Sequence, residues 1–329
     1  MSRGLGDVYK RQVTNINVLI TGGAGFIGSN FIRFIIEKTE STIVNLDLLT
    51  YAANLEYLEE IQQLPNYHFI QGNIKDSTLV MKTIQKFKID CIINFAAESH
   101  VDNSIKNAED FIQTNIVGTA NLLECARLSK IKYLQISTDE VYGSLTEGYA
   151  DEKTFLNPSS PYSASKAAAD HLVMSYHKTY ELNVNIVRAA NNYGPNQYKE
   201  KLIPLMLHQI SNNKPLPVYG NGLNKRDWLY VEDFCRAIFI VLECGKTGEI
   251  YNVSAQEEID NLALVKKLCH LCSYDERMIE FVEDRLGHDY RYAMQTSKIE
   301  SLGWKPKTNL EKGLIKTVKW YSETKRLES

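Results

Sequence analysis

The stretch NVLITGGAGFIG, residues 17–28, decides how the rest of the chain is read. NVLI has the length and apolar content of a buried strand, and glycines at 22, 25 and 28 follow it directly. Gly22 permits a tight turn, Gly25 lets the backbone approach a pyrophosphate, and Gly28 lets the next helix pack closely on the sheet. That helix, expected over about 26–38 together with Phe26 and Ile27, points its N-terminus at the phosphates. Glycine spacing alone is weak evidence. Here a strand precedes it, a helix follows it, and Asp47 closes the next strand, TIVNLD, 19 residues after Gly28. An acid at that place suits ribose hydroxyls and repels a 2′-phosphate, so the expected cofactor is NAD rather than NADP.

Outward from this stretch the pattern alternates. YHFIQGN, DCIINFAA, KYLQIST and NVNIVRAAN read as short apolar strands, separated by helical segments near 77–87, 109–129 and 161–181. Such alternation predicts an α/β, Rossmann-like doubly wound parallel sheet. After about Asn192 the rhythm breaks into the loops YGPNQ and NNKPLPVYGNG. The expected division is a cofactor domain over 13–192, rejoined by elements from about 229–260, and a smaller substrate-binding region over 193–228 and 261–329. Residues 1–12, MSRGLGDVYKRQ, show no periodicity and resemble a translated adapter, tag or misassigned start, so they are left out of the fold.

Composition narrows the functional classes. With 44% hydrophobic and 23% charged residues and a net charge of −3, the chain has no basic field for nucleic acid or anionic membrane. No apolar run approaches the roughly 20 residues of a membrane helix, and no signal-peptide pattern opens the chain; a cytoplasmic protein is expected. The six cysteines read as buried thiols, and Cys269 with Cys272 has no second ligand pair, so no metal is expected.

Two further clusters carry chemistry. In PYSASKAAAD, Tyr162 and Lys166 stand four residues apart and share a helix face, with Pro161 suited to the first turn. An ammonium beside a phenol favours phenolate, a usable base for an alcohol that loses hydride; alone, the pair is an ordinary helix surface. In ISTDEVYG, residues 136–143, Asp139 and Glu140 stand side by side where the apolar run KYLQIST ends. Adjacent carboxyls raise the cost of ionising both, which makes either an acid and base pair or a solvated polar turn.

TGGAGFIG followed by YSASK resembles the extended short-chain dehydrogenase/reductase superfamily, whose members modify nucleotide sugars. NFAAESHVDNSI, STDEVYG, SPYSASKAAAD, NNYGPNQYKEKLIP, RDWLYVEDF and EDRLGHDYRYA narrow the resemblance to the dTDP-glucose 4,6-dehydratases, over about residues 17–310. The resemblance implies an NAD-dependent lyase and a homodimer packed through the helices near 109–129 and 161–181.

It also implies roles. Tyr162 removes the sugar C4 hydroxyl proton while hydride passes to NAD, Lys166 holds the cofactor ribose and tunes Tyr162, and Thr138 bonds near the C4 oxygen. Glu140 removes the C5 proton and Asp139 protonates the departing C6 hydroxyl, so the adjacent carboxyls become an acid and a base for one elimination. Asn73, Ile74, Ala96 and Ala97 join Asp47 and the glycine turn around NAD. Ser99, His100, Asn191, Asn192, Lys201 and Leu202 line the sugar and nucleotide site. Arg226 pairs with the diphosphate, and Asn261, Arg285, His288 and Tyr292 complete the nucleotide pocket.

Departures from the family pattern are Leu48 and Ala53 in DLLTYAAN, Asn73 where an Asp is usual, Asn103 where an Arg is usual, and VSAQEE without paired glycines. They bear on affinity and selectivity more than on the reaction. The competing readings are another nucleotide-sugar dehydratase, an epimerase, which has no use for Asp139 and Glu140, and a silent NAD-binding protein, which has no use for Tyr162 and Lys166 either.

Overall fold

The computed structural model describes residues 16–324, so the segment 1–12 lies outside the described residues. β1 (Val18–Thr21), α1 (Phe26–Lys38), β2 (Ile43–Asp47), a 3₁₀ turn (Leu55–Ile61), β3 (Tyr67–Gln71), α2 (Ser77–Phe87) and β4 (Cys91–Asn94) alternate as expected. After α3 (Val101–Lys106), α4 (Glu109–Phe111) runs through a π-helical segment (Ile112–Gly118) into α5 (Thr119–Ser129). β5 (Lys132–Thr138), a 3₁₀ turn (Asp139–Tyr142), α6 (Pro161–Tyr180) and β6 (Val184–Ala189) follow. Ser160 caps α6 by accepting from the Ser163 amide, with Pro161 in the first turn.

The expectation of one strand over NVNIVRAAN is corrected. Ala190 donates its N–H to the Val253 carbonyl at 3.0 Å, and the chain then leaves the sheet as β7 (Asn191–Tyr193). Beyond it lie α7 (Leu202–Ser211), β8 (Leu216–Tyr219), β9 (Lys225–Tyr230), α8 (Val231–Cys244), β10 (Glu249–Val253) and β11 (Glu258–Asp260). α9 (Asn261–Leu271), β12 (Ile279–Val282), α10 (Ser297–Ser301) and α11 (Leu310–Thr324) end the described chain.

Seven strands form one all-parallel sheet in the order β10-β6-β5-β4-β1-β2-β3, the doubly wound arrangement read from the sequence. β1 shows why three successive apolar residues are needed: Val18 and Ile20 pack with Phe31 and Ile32 of α1, whereas Leu19 packs with Val80 of α2 and Leu122 of α5. Both faces are covered, and fully burying each such side chain contributes roughly 1.5–3 kcal/mol. β7 pairs with β9, which pairs with β11, and β8 pairs with β12. Around these smaller sheets a separate core gathers Tyr193, Met206, Leu264 and Leu314. The cysteines are not uniformly buried: Cys244, at the end of α8, is exposed and Cys272 is half-buried.

Candidate active site

The crevice opens where the strand order reverses, between the C-terminal ends of β1 and β4. Gly22 turns the chain at φ +70°, and a Cβ there would stand 2.6 Å from the Ala96 amide nitrogen. Only glycine lets the two loops meet. At Gly28 a Cβ would strike the Gly22 carbonyl at 2.4 Å, so this glycine packs α1 against its own turn, rather than against the sheet as expected. Gly25, the α1 N-cap residue, faces open space apart from the Gly22 carbonyl at 3.3 Å.

A cavity of about 250 Å³ runs over this turn. Its walls include Gly22, Gly25, Phe26, Ile27, Gly28, Asp47, Asn73, Ile74, Ala96, Ala97, Tyr162 and Lys166, the full set expected around NAD. Asp47 is bound at both oxygens: Oδ2 accepts from the Ala24 amide at 2.9 Å and Oδ1 from the Leu49 amide at 2.8 Å. Burial raises its pKa, and those two amides oppose the rise. Asn73 Oδ1 accepts from the Lys75 amide at 2.9 Å, so its carbonyl is partly spent on a local turn. A helix N-terminus without side chains, a bound acid and an open glycine fit a dinucleotide.

The π-helical segment completes the floor. Asn115 accepts from the Glu98 amide at 2.9 Å, donates to the Glu98 carbonyl at 3.0 Å, and donates to Ser165 Oγ at 2.8 Å. It thereby pins the loop after β4 to α6. Nothing in the sequence pattern signals it, because the extra residue of a π turn leaves no periodic mark.

Tyr162 and Lys166 sit on α6 above the end of β5. Lys166 Nζ donates to the Ile136 carbonyl at 2.7 Å, and burial pulls its pKa down to about 8, while Asp170 works in the other direction. Burial pushes the Tyr162 phenol up, the Glu140 and Asp139 charges push it further, and a hydrogen bond with Thr138 opposes them. The Lys166 ammonium is directed at the Ile136 main-chain carbonyl.

The turn after β5 carries the carboxyls. Thr138 caps it, accepting from the Glu140 amide at 3.3 Å and donating to Asp139 Oδ1 at 3.1 Å. Asp139 is only 3% exposed, and its Oδ2 has no partner among the described residues. Burial and then Glu140 push its pKa well above the usual range. Glu140 is also raised by burial, against the pull of Arg226, Lys201 and Arg285. Glu140 reaches a cavity wall, whereas Thr138 and Asp139 stand behind it and line neither cavity.

A second cavity, of about 460 Å³, shares Ser99, Gln197, Glu200 and Lys201 with the first. Ser99, His100, Asn191, Asn192, Lys201, Leu202, Arg226, Asn261, Arg285, His288 and Tyr292 all line it. Lys201 Nζ donates to the Ser99 carbonyl at 2.7 Å. Arg226 donates to the Lys225 carbonyl at 2.8 Å and the Asp289 carbonyl at 2.9 Å, with its guanidinium 4.3 Å from the Tyr292 ring centre. Arg285 forms a two-pronged pair with Asp102 at 2.6 and 3.1 Å, and His288 Nδ1 lies 2.6 Å from Asp284. His100 caps α3, and burial brings its pKa down to about 4.

Asn191, Asn192 and Asn261 each keep a buried Oδ1 with no partner among the described residues, as does Trp228 Nε1. Such groups in a cavity wall are suited to a polar ligand. Trp228, Asp102 and Tyr219 were not singled out from the sequence; Trp228 lies inside RDWLYVEDF and Asp102 inside NFAAESHVDNSI, while Tyr219 needed the fold to bring it to the wall.

The GDP-mannose 4,6 dehydratase family model matches residues 19–317. The chain belongs to that family. Among members of the GDP-mannose 4,6 dehydratase family and their structural relatives, it is 47% identical to dTDP-glucose 4,6-dehydratase of Haemophilus influenzae, over 93% of this chain and 98% of that protein. Its fold matches the crystal structure of DesIV, a dTDP-glucose 4,6-dehydratase from Streptomyces venezuelae solved with NAD bound, with a TM-score of 0.92, 42% identity and coverage of 94% and 98%. UDP-glucose 4-epimerase of Thermotoga maritima shares the fold at a TM-score of 0.88 but only 26% identity, covering 94% of this chain and 100% of that one.

Proposed function

We infer that this chain is an NAD-dependent hydro-lyase that converts dTDP-glucose to dTDP-4-keto-6-deoxyglucose and water. One observation carries the elimination: two adjacent carboxyls, both raised by burial, stand beside the Tyr162 phenol, and one of them opens into the substrate-side cavity. A redox step alone needs Tyr162 and Lys166 but no second acid and base.

Bound NAD supplies the capacity to take a hydride from C4 of the sugar and give it back at C6. The glycine turn, Asp47, Asn73 and the loop at Ala96 and Ala97 hold it in the first cavity. Tyr162 takes the C4 hydroxyl proton, with Thr138 orienting the same oxygen. Lys166, held protonated with help from Asp170, supplies positive charge that favours phenolate when added to that of the bound nicotinamide. The C4 ketone makes the C5 proton acidic, and Glu140 accepts it from the cavity side, then returns a proton to C5 when hydride reaches C6. Asp139, kept protonated by burial beside Glu140, gives its proton to the leaving C6 oxygen; two carboxyls with different environments divide acid and base between them. Arg226 receives the diphosphate, and Arg285 belongs to the nucleotide pocket.

The protein works as a cytoplasmic homodimer on this reading. Ile112, Val117, Leu128 and Tyr180 leave large apolar groups exposed on α5, α6 and the π-helical segment, which supports pairing of these helices with a second copy. No helix among the described residues is long and apolar enough to cross a membrane.

The test is incubation with dTDP-, UDP-, CDP- and GDP-linked hexoses, followed by mass analysis. Loss of one water from dTDP-glucose is expected. A product of unchanged mass would replace dehydration with epimerisation, and loss of water only from another nucleotide sugar would move the base specificity.

A further inference from the structure

Beneath the active site lies a buried polar chain of which the reaction as described uses only Asp170, as a support for the Lys166 charge. Arg188 on β6 is 3% exposed and Asp170 on α6 is 2% exposed. Arg188 Nε donates to Asp170 Oδ2 at 2.9 Å, and Arg188 Nη1 donates to the Tyr142 hydroxyl at 2.8 Å. The Tyr142 hydroxyl in turn donates to Asn252 Oδ1 at 2.8 Å, and Asn252 Nδ2 donates to the Ala150 carbonyl at 3.2 Å. The strand register places Arg188 between Ser137 of β5 and Asn252 of β10; its guanidinium joins α6 to the turn that follows β5, and the Tyr142 hydroxyl carries the chain on to β10.

The ends of this chain are informative. Asp170 lies one helical turn beyond Lys166 and two beyond Tyr162. Tyr142 ends the 3₁₀ turn that begins with Asp139 and Glu140. Among the described residues neither of those carboxyls has an ion pair of its own, and their position depends on what anchors the turn. The anchors are the Thr138 cap, the Asn157 amide bonded to the Val141 carbonyl at 3.0 Å, and the Tyr142 side chain. Two of them reach α6: the Thr138 cap through its hydrogen bond with Tyr162 at the start of the turn, and the Tyr142 side chain through Arg188 and Asp170 at its end.

A buried ion pair is poor evidence of net stabilisation, since desolvation of both charges offsets most of their attraction. Its contribution here is orientation. We propose that Asp170, Arg188 and Tyr142 are positioning residues that hold the acid–base turn at Asp139 and Glu140 in fixed register with Tyr162 and Lys166 on α6. The inference rests on the dehydratase reading. Oxidation at C4 uses α6 groups, whereas elimination at C5 and C6 needs the turn in place. Loosening the Arg188–Tyr142 link therefore affects the second half-reaction and spares the first.

Tyr142→Phe removes only the hydroxyl. A misplacement of about 1 Å can cost on the order of 10²-fold, so water loss and solvent-deuterium uptake at C5 should fall about 10- to 100-fold. The rise in reduced-nicotinamide absorbance in a single turnover should stay within about 3-fold of wild type. Arg188→Lys, which keeps the charge but not the reach to Tyr142, should behave alike. Should the single changes unfold the protein, Asp170→Leu combined with Arg188→Met removes the pair without leaving a lone charge; oxidation then loses the support Asp170 gives Lys166, and water loss with C5 exchange should fall at least about 10-fold further than oxidation does. Equal loss of both half-reactions, or no loss in either, overturns the proposal. Failure of the wild-type protein to release water from any nucleotide sugar would instead overturn the reading beneath it.

Discussion

Asp47 Oδ2 accepts from the Ala24 amide at 2.9 Å, so the acid that ends β2 also holds the glycine turn that ends β1. One side chain thus shapes the cradle and faces the cofactor cavity, and the two contributions separate by mutation. Asp47→Asn keeps an acceptor for one amide but turns its NH₂ toward the other. An unsatisfied buried donor costs about 1–3 kcal/mol, so denaturant unfolding should show a loss in that range, with NAD affinity at least about 10-fold weaker. Unchanged NAD titration in the variant would remove Asp47 from the cofactor site.

Tyr162→Phe should nearly abolish reduction of the bound nicotinamide while substrate affinity, read by calorimetry, changes little, because a proton acceptor is lost and almost no volume. Near wild-type turnover would contradict this.

The pH profile should have two limbs with separate owners. Lys166 titrates at about 8 because burial disfavours its charge. It supports phenolate only when protonated, so single-turnover oxidation should decline as pH rises through about 8. Glu140 accepts a proton only when ionised, and its pKa is raised. Elimination should therefore decline on acidification at a pH above that of an ordinary glutamate. A flat oxidation rate across the alkaline range would refute the assignment to Lys166.

Glu140→Gln keeps shape and hydrogen bonding but cannot take the C5 proton. General-base catalysis is worth roughly 10²- to 10⁴-fold, and water loss should slow by about that factor. Oxidation should be less affected, so absorbance of the reduced nicotinamide builds up on adding substrate. Wild-type product made in heavy water should carry deuterium at C5. A variant that releases water at the wild-type rate would return DEVY to a polar turn.

Arg226→Lys should raise KM by about 10-fold or more with kcat little changed, because a lysine cannot present the flat guanidinium that lies over Tyr292 and reaches two carbonyls. A matching fall in kcat would place Arg226 in the chemistry rather than in binding.

The sheet was legible because apolar runs and helical segments alternate, and because glycines at 22 and 28 meet backbone at distances that no other residue tolerates. The residues expected to line the two cavities do line them: the glycine turn, NFAAES and STDEVYG follow strand ends on one side of the sheet, and RDWLYVEDF and EDRLGHDYRYA come over from the smaller region. Long-range partnerships were not legible. The break at Ala190 depends on the Val253 carbonyl 63 residues away, and the Asp102–Arg285 pair spans 183 residues. The departure at VSAQEE takes a physical form: Gln256 adopts φ +57°, a conformation glycine holds without strain. Asp227 secures that loop instead, accepting from the Gln256 amide at 2.9 Å and from the Ser254 hydroxyl.

The π-helical segment at Ile112–Gly118 sets local regularity against placement. An α-helix advances 100° per residue, so the surplus residue swings everything on its N-terminal side by about that angle relative to α5. Excising one residue would give a more uniform helix with better-aligned hydrogen bonds, yet would turn the Asn115 amide away from Glu98 and Ser165 or turn Leu122 and Leu123 out of the core. A single helix cannot serve both walls at one phase, and the irregular turn is where the two phases are spliced.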